Sequence, residues 1–276
     1  MTQIRILKIE LERAFTGVGI KTAMFCGMLI NIVHFMCVVV PQAVDPLKYY
    51  TLDGQNLPAS VFYAWIGGAT NYEYQLFIRL IPILAVMPFA ISYFMDCRQG
   101  IIKNYYTRAM KKEYLFAKYL SVFLSGGFVV VVPLILNLTA TAAVLPSLIW
   151  PTGTFPMNAN GMWSSLYFTY PYIYFLFYFL LLFVISGLLA TITLMVSGFI
   201  NNRFVGMLFP FILCEFLNAI TRISKNYIIR GMAPYRFLSI AQVTYNSWQS
   251  YVCIIATFVA GGYWLYYWKG NRDEAL

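Results

Sequence analysis

The sequence predicts an all-α polytopic membrane protein, with six transmembrane helices in a single domain over residues 1–276. Three observations predict it. Hydrophobic residues make up 61% of the chain and charged ones 11%, far from the balance of a soluble globular domain. Several apolar runs reach the roughly eighteen residues that carry a helix across a bilayer. The cations gather at the ends of those runs.

Residues 2–20 form the first element. Ile4, Leu7, Leu11, Phe15 and Val18 share a narrow arc at helical spacing, and Arg5, Lys8, Glu12 and Arg13 fall elsewhere. This is the pattern of a helix lying along a membrane surface, with Gly17 and Gly19 allowing a turn into the first span. A short solvated tail is the competing reading. The charged stretch is too long for the hydrophobic core of a cleavable signal peptide and lacks a small-residue exit.

The first span covers about 22–40 and is expected to stop at Pro41. DPLKYY and LDGQNLP then mark a polar loop. The second span covers about 77–94, with kinks at Pro82 and Pro88. The third covers about 114–138, with bends at Gly126, Gly127 and Pro133. Residues 139–170 carry no charge and are rich in Pro, Thr, Ser and aromatics, which suits a membrane interface. The remaining spans cover about 172–198, 205–220 and 251–268.

Between the second and third spans lies DCRQGIIKNYYTRAMKKEYLFAK, residues 96–118, which holds six of the nineteen Lys and Arg. As a helix it would carry Ile101, Tyr105 and Ala109 on one side, with Ile102, Tyr106 and Met110 beside them. Such a stripe suits a membrane surface or a partner protein, and a solvated loop is the alternative. Asp96 stands four residues before Gly100, and Ala117 and Lys118 open the next apolar span. This arrangement resembles the first cytoplasmic loop of ABC-2-type transporter permeases, in which the first position is more often glutamate. The resemblance is sharp around 96–118, weaker in the N-terminal helix, and extends to the general plan of the chain.

The resemblance implies an N-terminal elbow helix and a cytoplasmic coupling helix over 98–113. Asp96, Arg98, Gly100, Ile101, Tyr105, Arg108 and Lys111 would serve ATPase coupling. The Tyr and Ile side chains would meet the ATPase, and the cations would meet acidic groups or lipid phosphates. It further implies a cytoplasmic ABC ATPase subunit, a second permease copy (a homodimer), and export of a peptide, antibiotic or lipid-like substrate.

Charge counting places both termini in the cytoplasm: thirteen cations fall on that side and six outside. The segment 221–249 resists the rule, because it has four cations and no acid yet falls outside. Arg222, Lys225, Arg230 and Arg236 are therefore candidate contacts for external headgroups or substrate, with simple snorkelling at helix ends as the alternative. The corresponding region of ABC-2 permeases folds back into the membrane, which implies a re-entrant connector here. The expected location is a plasma membrane, bacterial by the same resemblance.

The chain lacks the residues for several chemistries. No glycine is followed by lysine, so it has no phosphate-cradling loop of the G-x-x-x-x-G-K type. Any ATP and magnesium belong to a partner, and this chain is not read as an enzyme. His34 is the one histidine, and no G-x-S-x-G motif occurs. Cys26, Cys37, Cys97, Cys214 and Cys253 form no C-x-x-C pair and read as buried apolar thiols. The basic balance follows membrane topology and does not imply nucleic acid.

Within or near spans, His34 reads as a packing residue and Arg79 as a snorkelling one. Glu215 is either a structural partner or part of a substrate path. The alternative function is an ATPase-independent secondary transporter or channel. Against it stand the lack of an inverted repeat and the scarcity of intramembrane charge. Nothing specific argues for a non-transporting scaffold.

Overall fold

The computed structural model describes residues 3–45, 51–52, 55–56, 58–68, 71–107, 110–149, 162–197, 202–223, 233–239 and 248–272. The fold is helical. Its one sheet among these residues is a two-residue hairpin pairing, β1 (Thr51–Leu52) with β2 (Gln55–Asn56). Among the described residues, four stretches are long and apolar enough to cross a membrane: Val18–Val44, Lys111–Val144, Pro171–Ser197 and Arg203–Ile223.

Helix α1 (Gln3–Thr16) ends one residue before Gly17, whose extended backbone turns the chain into α2 (Val18–His34). The expected stop at Pro41 does not occur. A π-helical turn at Phe35–Val39 carries the chain into α3 (Val40–Val44), with Pro41 in its first turn. The wider turn accommodates a residue that cannot donate a backbone hydrogen bond. Ser60 caps the short α4 (Val61–Ala64) by accepting from the Phe62 amide. The following Trp65 is buried against Phe175, Tyr178 and Phe179. The expected polar loop thus includes an apolar plug.

The second predicted span is interrupted. Helix α5 (Tyr72–Val86) tolerates Pro82, but the chain breaks around Pro88 before α6 (Ser92–Arg98). Gly100 follows in the left-handed region at φ 69°, which favours a residue without Cβ. That turn separates α6 from α7 (Ile101–Tyr106). Met110 is extended and caps α8 (Lys111–Val144). The single helix expected over 98–113 is therefore divided among the end of α6, the six-residue α7 and the start of α8.

Helix α8 is the organising element, about 51 Å long at 1.5 Å per residue. It packs along α10 (Pro171–Ser197), α1, α2 and α5. Helix α8 stays helical through Gly126, Gly127 and Pro133, where the sequence predicts bends. The glycines serve close approach. A Cβ on Gly126 would lie 2.6 Å from the Ala190 Cβ and 2.9 Å from the Ala85 carbonyl. Small residues at a helix–helix contact bring backbones together where hydrocarbon offers little other drive to associate.

The uncharged segment carries the short α9 (Ser164–Thr169), which packs on α10. Helix α11 (Arg203–Ile223) buries only Gly206, Pro210, Cys214 and Thr221. Then come α12 (Pro234–Leu238) and α13 (Trp248–Arg272).

Candidate functional site

On α1, residues four apart point the same way, so Ile6, Glu10 and Ala14 make one buried stripe. The arc that the sequence assigned to the membrane lies beside this stripe, with Ile4 exposed from the protein and Leu7 and Leu11 half-buried. Glu10 thus enters the interior as the one carboxylate of its stripe. There it meets Asp96 from the end of α6 and Lys118 from the second turn of α8.

The Lys118 ammonium lies 2.6 Å from Glu10 Oε2 and 2.6 Å from Asp96 Oδ2. Arg13 forks onto the Asp96 carboxylate, with Nη2 at 2.7 Å from Oδ1 and Nη1 at 3.2 Å from Oδ2. The same Nη1 donates to Glu10 Oε1 at 2.8 Å. Two tyrosines complete the network. Tyr105 donates to Glu10 at 3.0 Å, and Tyr114 donates to Asp96 at 2.8 Å. The Phe89 ring caps it, 4.4 Å from the Lys118 nitrogen and 5.7 Å from the Arg13 guanidinium carbon.

Two carboxylates and two cations make the cluster neutral overall, which is how buried charge becomes tolerable. Burial pushes the Asp96 carboxyl upward, but hydrogen bonds and charge from Arg13 and Lys118 bring it below its ordinary range. The hydrogen bond to Asp96 raises Arg13, against the effect of burial. Burial, then the charge of Glu10, pushes the Tyr105 phenol up to about 12. Two carboxylates and two cations held at these distances make the cluster an ionic joint. It ties α1, α6, α7 and α8 together.

Around this joint, Ile102 of α7 is buried, and Tyr105 and Tyr106 lie against Tyr114. The tyrosines of the bridge therefore pack on their own chain. The face they leave open carries Lys103 and Asn104, with Ile101 half-buried. Arg98 is exposed and stacks over Phe94 at 4.5 Å, and Lys111 sits over Tyr106 at 5.2 Å. Asp96 is 1% exposed, so it acts through Arg13, Lys118 and Tyr114 rather than on a partner's surface. Arg108 lies outside the described residues.

The resemblance points to Asp96 and Lys118 but not to Glu10, Arg13 and Tyr114 as their partners. The available signal was Glu10 on a four-residue stripe with Ile6 and Ala14.

A second polar group lies deeper. Asn137 of α8 accepts from the Ile66 amide, donates to the Asn31 carbonyl, and lies 3.4 Å from His34 Nδ1. It joins α2, α8 and the Trp65 plug. Glu215 of α11 also has a partner, because the Tyr235 hydroxyl donates to it at 2.9 Å. Arg79 is close enough for its charge to act on that phenol. Arg222 is exposed and Arg236 half-buried, whereas Lys225 and Arg230 lie outside the described residues.

The thiols depart from expectation. Cys26, Cys37 and Cys97 are exposed from the protein and Cys214 is buried. Cys26 and Cys37 sit beside the exposed Phe25 and Met36, on a side of the helix that a bilayer would cover. Among the described residues, no cluster of His, Cys, Asp and Glu is arranged to hold a metal ion. In comparisons with known proteins, no family model, no curated protein and no solved structure matches this chain.

Proposed function

We propose that the chain is the membrane-spanning permease subunit of an ATP-driven ABC-2-type exporter, with ATP and magnesium held by a separate cytoplasmic ATPase. The observation that carries this reading is the ionic joint. A force applied to the α7 bridge reaches α1 through Tyr105 and Glu10, and reaches α8 through Glu10 and Lys118. Such a joint passes displacement on instead of absorbing it in a loop.

In this reading α1 is the elbow helix on the cytoplasmic leaflet. Arg98, Gly100, Ile101, Arg108 and Lys111 belong to the surface that meets the ATPase, and Asp96 and Tyr105 transmit from behind it. The six crossings are α2–α3, the stretch of about 77–94 from α5 into the start of α6, α8, α10, α11 and α13, with Asp96 on the cytoplasmic side and both termini cytoplasmic in a bacterial plasma membrane. Two copies pair. Glu215 borders the path of a peptide, antibiotic or lipid-like substrate. Arg222 and Arg236, with Lys225 and Arg230, serve the external interface.

The test is transport in vesicles containing the chain and its ATPase, comparing the wild type with the double variant Arg108→Glu, Lys111→Glu. Loss of transport with persisting ATP hydrolysis and normal insertion is expected. Transport at the full rate would remove the coupling role.

A further inference from the structure

Helices α10, α11, α12 and α13 enclose a cavity of about 240 Å³. Ile192, Leu213, Leu217, Phe237 and Phe258 are among the residues that wall it. Among its described lining residues, two side chains carry a heteroatom, the thiol of Cys214 and the hydroxyl of Tyr251. The hydroxyl is turned to the Phe237 carbonyl, to which it donates at 3.4 Å. A buried water needs two to four polar partners, and an apolar cavity of about 150 Å³ is already known to stay dry and take up an apolar guest. This cavity offers water almost nothing.

The cavity is held open by its own architecture. Its lid, α12, turns Pro234, Phe237 and Leu238 inward. Three polar contacts fix that lid: Tyr178 donates to the Leu238 carbonyl, Tyr251 to the Phe237 carbonyl, and Tyr235 to Glu215. The lid is thus fastened to α10, α11 and α13 by hydrogen bonds rather than by filling the space beneath it. An empty apolar space would forfeit dispersion contacts on every wall.

Two of the walls, α10 and α11, are long and apolar enough to cross a membrane, so the medium at their depth is hydrocarbon. Leu217 lines the cavity and is also exposed from the protein. It continues into the exposed row Leu208, Ile212, Phe216 and Ile220 of the same helix. The cavity is therefore continuous with a lipid-facing surface.

We propose that this cavity is a binding site for one acyl chain of a bilayer phospholipid, seated beneath α12. The site takes hydrocarbon and disfavours peptide or charged groups, because its described lining offers them little beyond one thiol and one hydroxyl that already donates to a carbonyl. It does not depend on the exporter reading and would exist in a channel or secondary transporter of the same fold.

The experiment reconstitutes the full chain in vesicles of phosphatidylcholine carrying a diazirine near the end of one acyl chain. After photolysis, adducts are mapped by mass spectrometry. Ile192 is 4% exposed, whereas Leu176 and Leu180 on the same helix are 58% and 55% exposed. Labelling of Ile192, Leu213 and Phe258 several-fold above Leu176 and Leu180 is expected. Labelling that merely follows exposure, with Ile192 blank, would overturn the proposal. A filled cavity, Leu213→Trp, should remove adducts from Ile192 and Phe258 and leave those on Leu180, and unchanged adducts in that folded variant would also overturn it. If that variant fails to fold, Leu189→Phe narrows the cavity from another wall, and the wild-type comparison decides on its own.

Discussion

Glu10 and Lys118 are 108 positions apart in the chain and 2.6 Å apart in space, and both are fully buried. Each is tolerable inside the protein because the other is present. Lys118→Met should leave Glu10 and Asp96 facing each other with Arg13 alone between them. Breaking a buried pair in this way costs about 3–5 kcal/mol, whereas replacing both partners with apolar groups is often close to neutral. The single variant should therefore show a clear drop in the thermal midpoint of the detergent-solubilised chain. Glu10→Leu with Lys118→Met should recover much of it, since Asp96 keeps Arg13. A thermodynamic cycle over the two positions measures this coupling.

The same joint sets a pH dependence. Asp96 is held below its ordinary carboxylate range, so its contribution is complete above the unfolded value of about 3.9 and is lost as pH falls through the lower folded value. Tyr105 behaves in the opposite sense. Its phenol is raised to about 12, so its contribution is complete below the ordinary value near 10 and is lost as pH rises through 12. The thermal midpoint contributed by this joint should stay level between about pH 5 and 9. Asp96→Asn should remove the acid limb, which a pH series on both proteins reads directly.

Much of the fold was legible because hydrophobic run length reports helices whatever they pack against. Residues 172–198 and 205–220 were read within a few positions of α10 and α11. Pro41 misled because a π-turn accommodates it, and the close approach at Gly126 was not legible because a glycine needed for contact looks the same in sequence as one needed for a bend. The ionic joint was only half legible. Asp96 and Lys118 stood out through the resemblance of 96–118 to a permease loop, but Glu10 sits in a helix whose exposed arc dominates its pattern. Trp65 and Asn137 gave no periodic signal, since one fills a short irregular plug and the other is a lone amide in a long apolar helix.

The contact between α8 and α10 should be intolerant of size at Gly126. Gly126→Val would drive atoms into Ala190 and the Ala85 carbonyl, and overpacking of this kind costs about 1–3 kcal/mol or more. Gly126→Ala combined with Ala190→Gly should recover only part of the loss, because the Ala85 carbonyl is backbone and cannot be trimmed. Thermal midpoints of the three proteins, compared with Gly206→Ala as a control where the added Cβ meets nothing within 4 Å, check this.

At Glu215 the bond from Tyr235 separates two roles. Glu215→Gln keeps an oxygen that can accept from the tyrosine, so assembly and thermal midpoint should stay near those of the wild type. Tyr235→Phe removes the donor and should cost about 1 kcal/mol. If Glu215 borders a substrate path, Glu215→Gln alters transport while assembly is normal. Lost assembly in Glu215→Gln would make the residue purely structural.

The central claim is that this chain works with a separate ATPase seated on the α7 bridge. The most direct measurement is purification of the tagged chain from its native membrane, with quantitative mass spectrometry and an ATP hydrolysis assay on the purified material. The account predicts a stoichiometric ATP-binding partner and measurable hydrolysis. Reproducible recovery of the intact chain alone, without ATP hydrolysis, would contradict it.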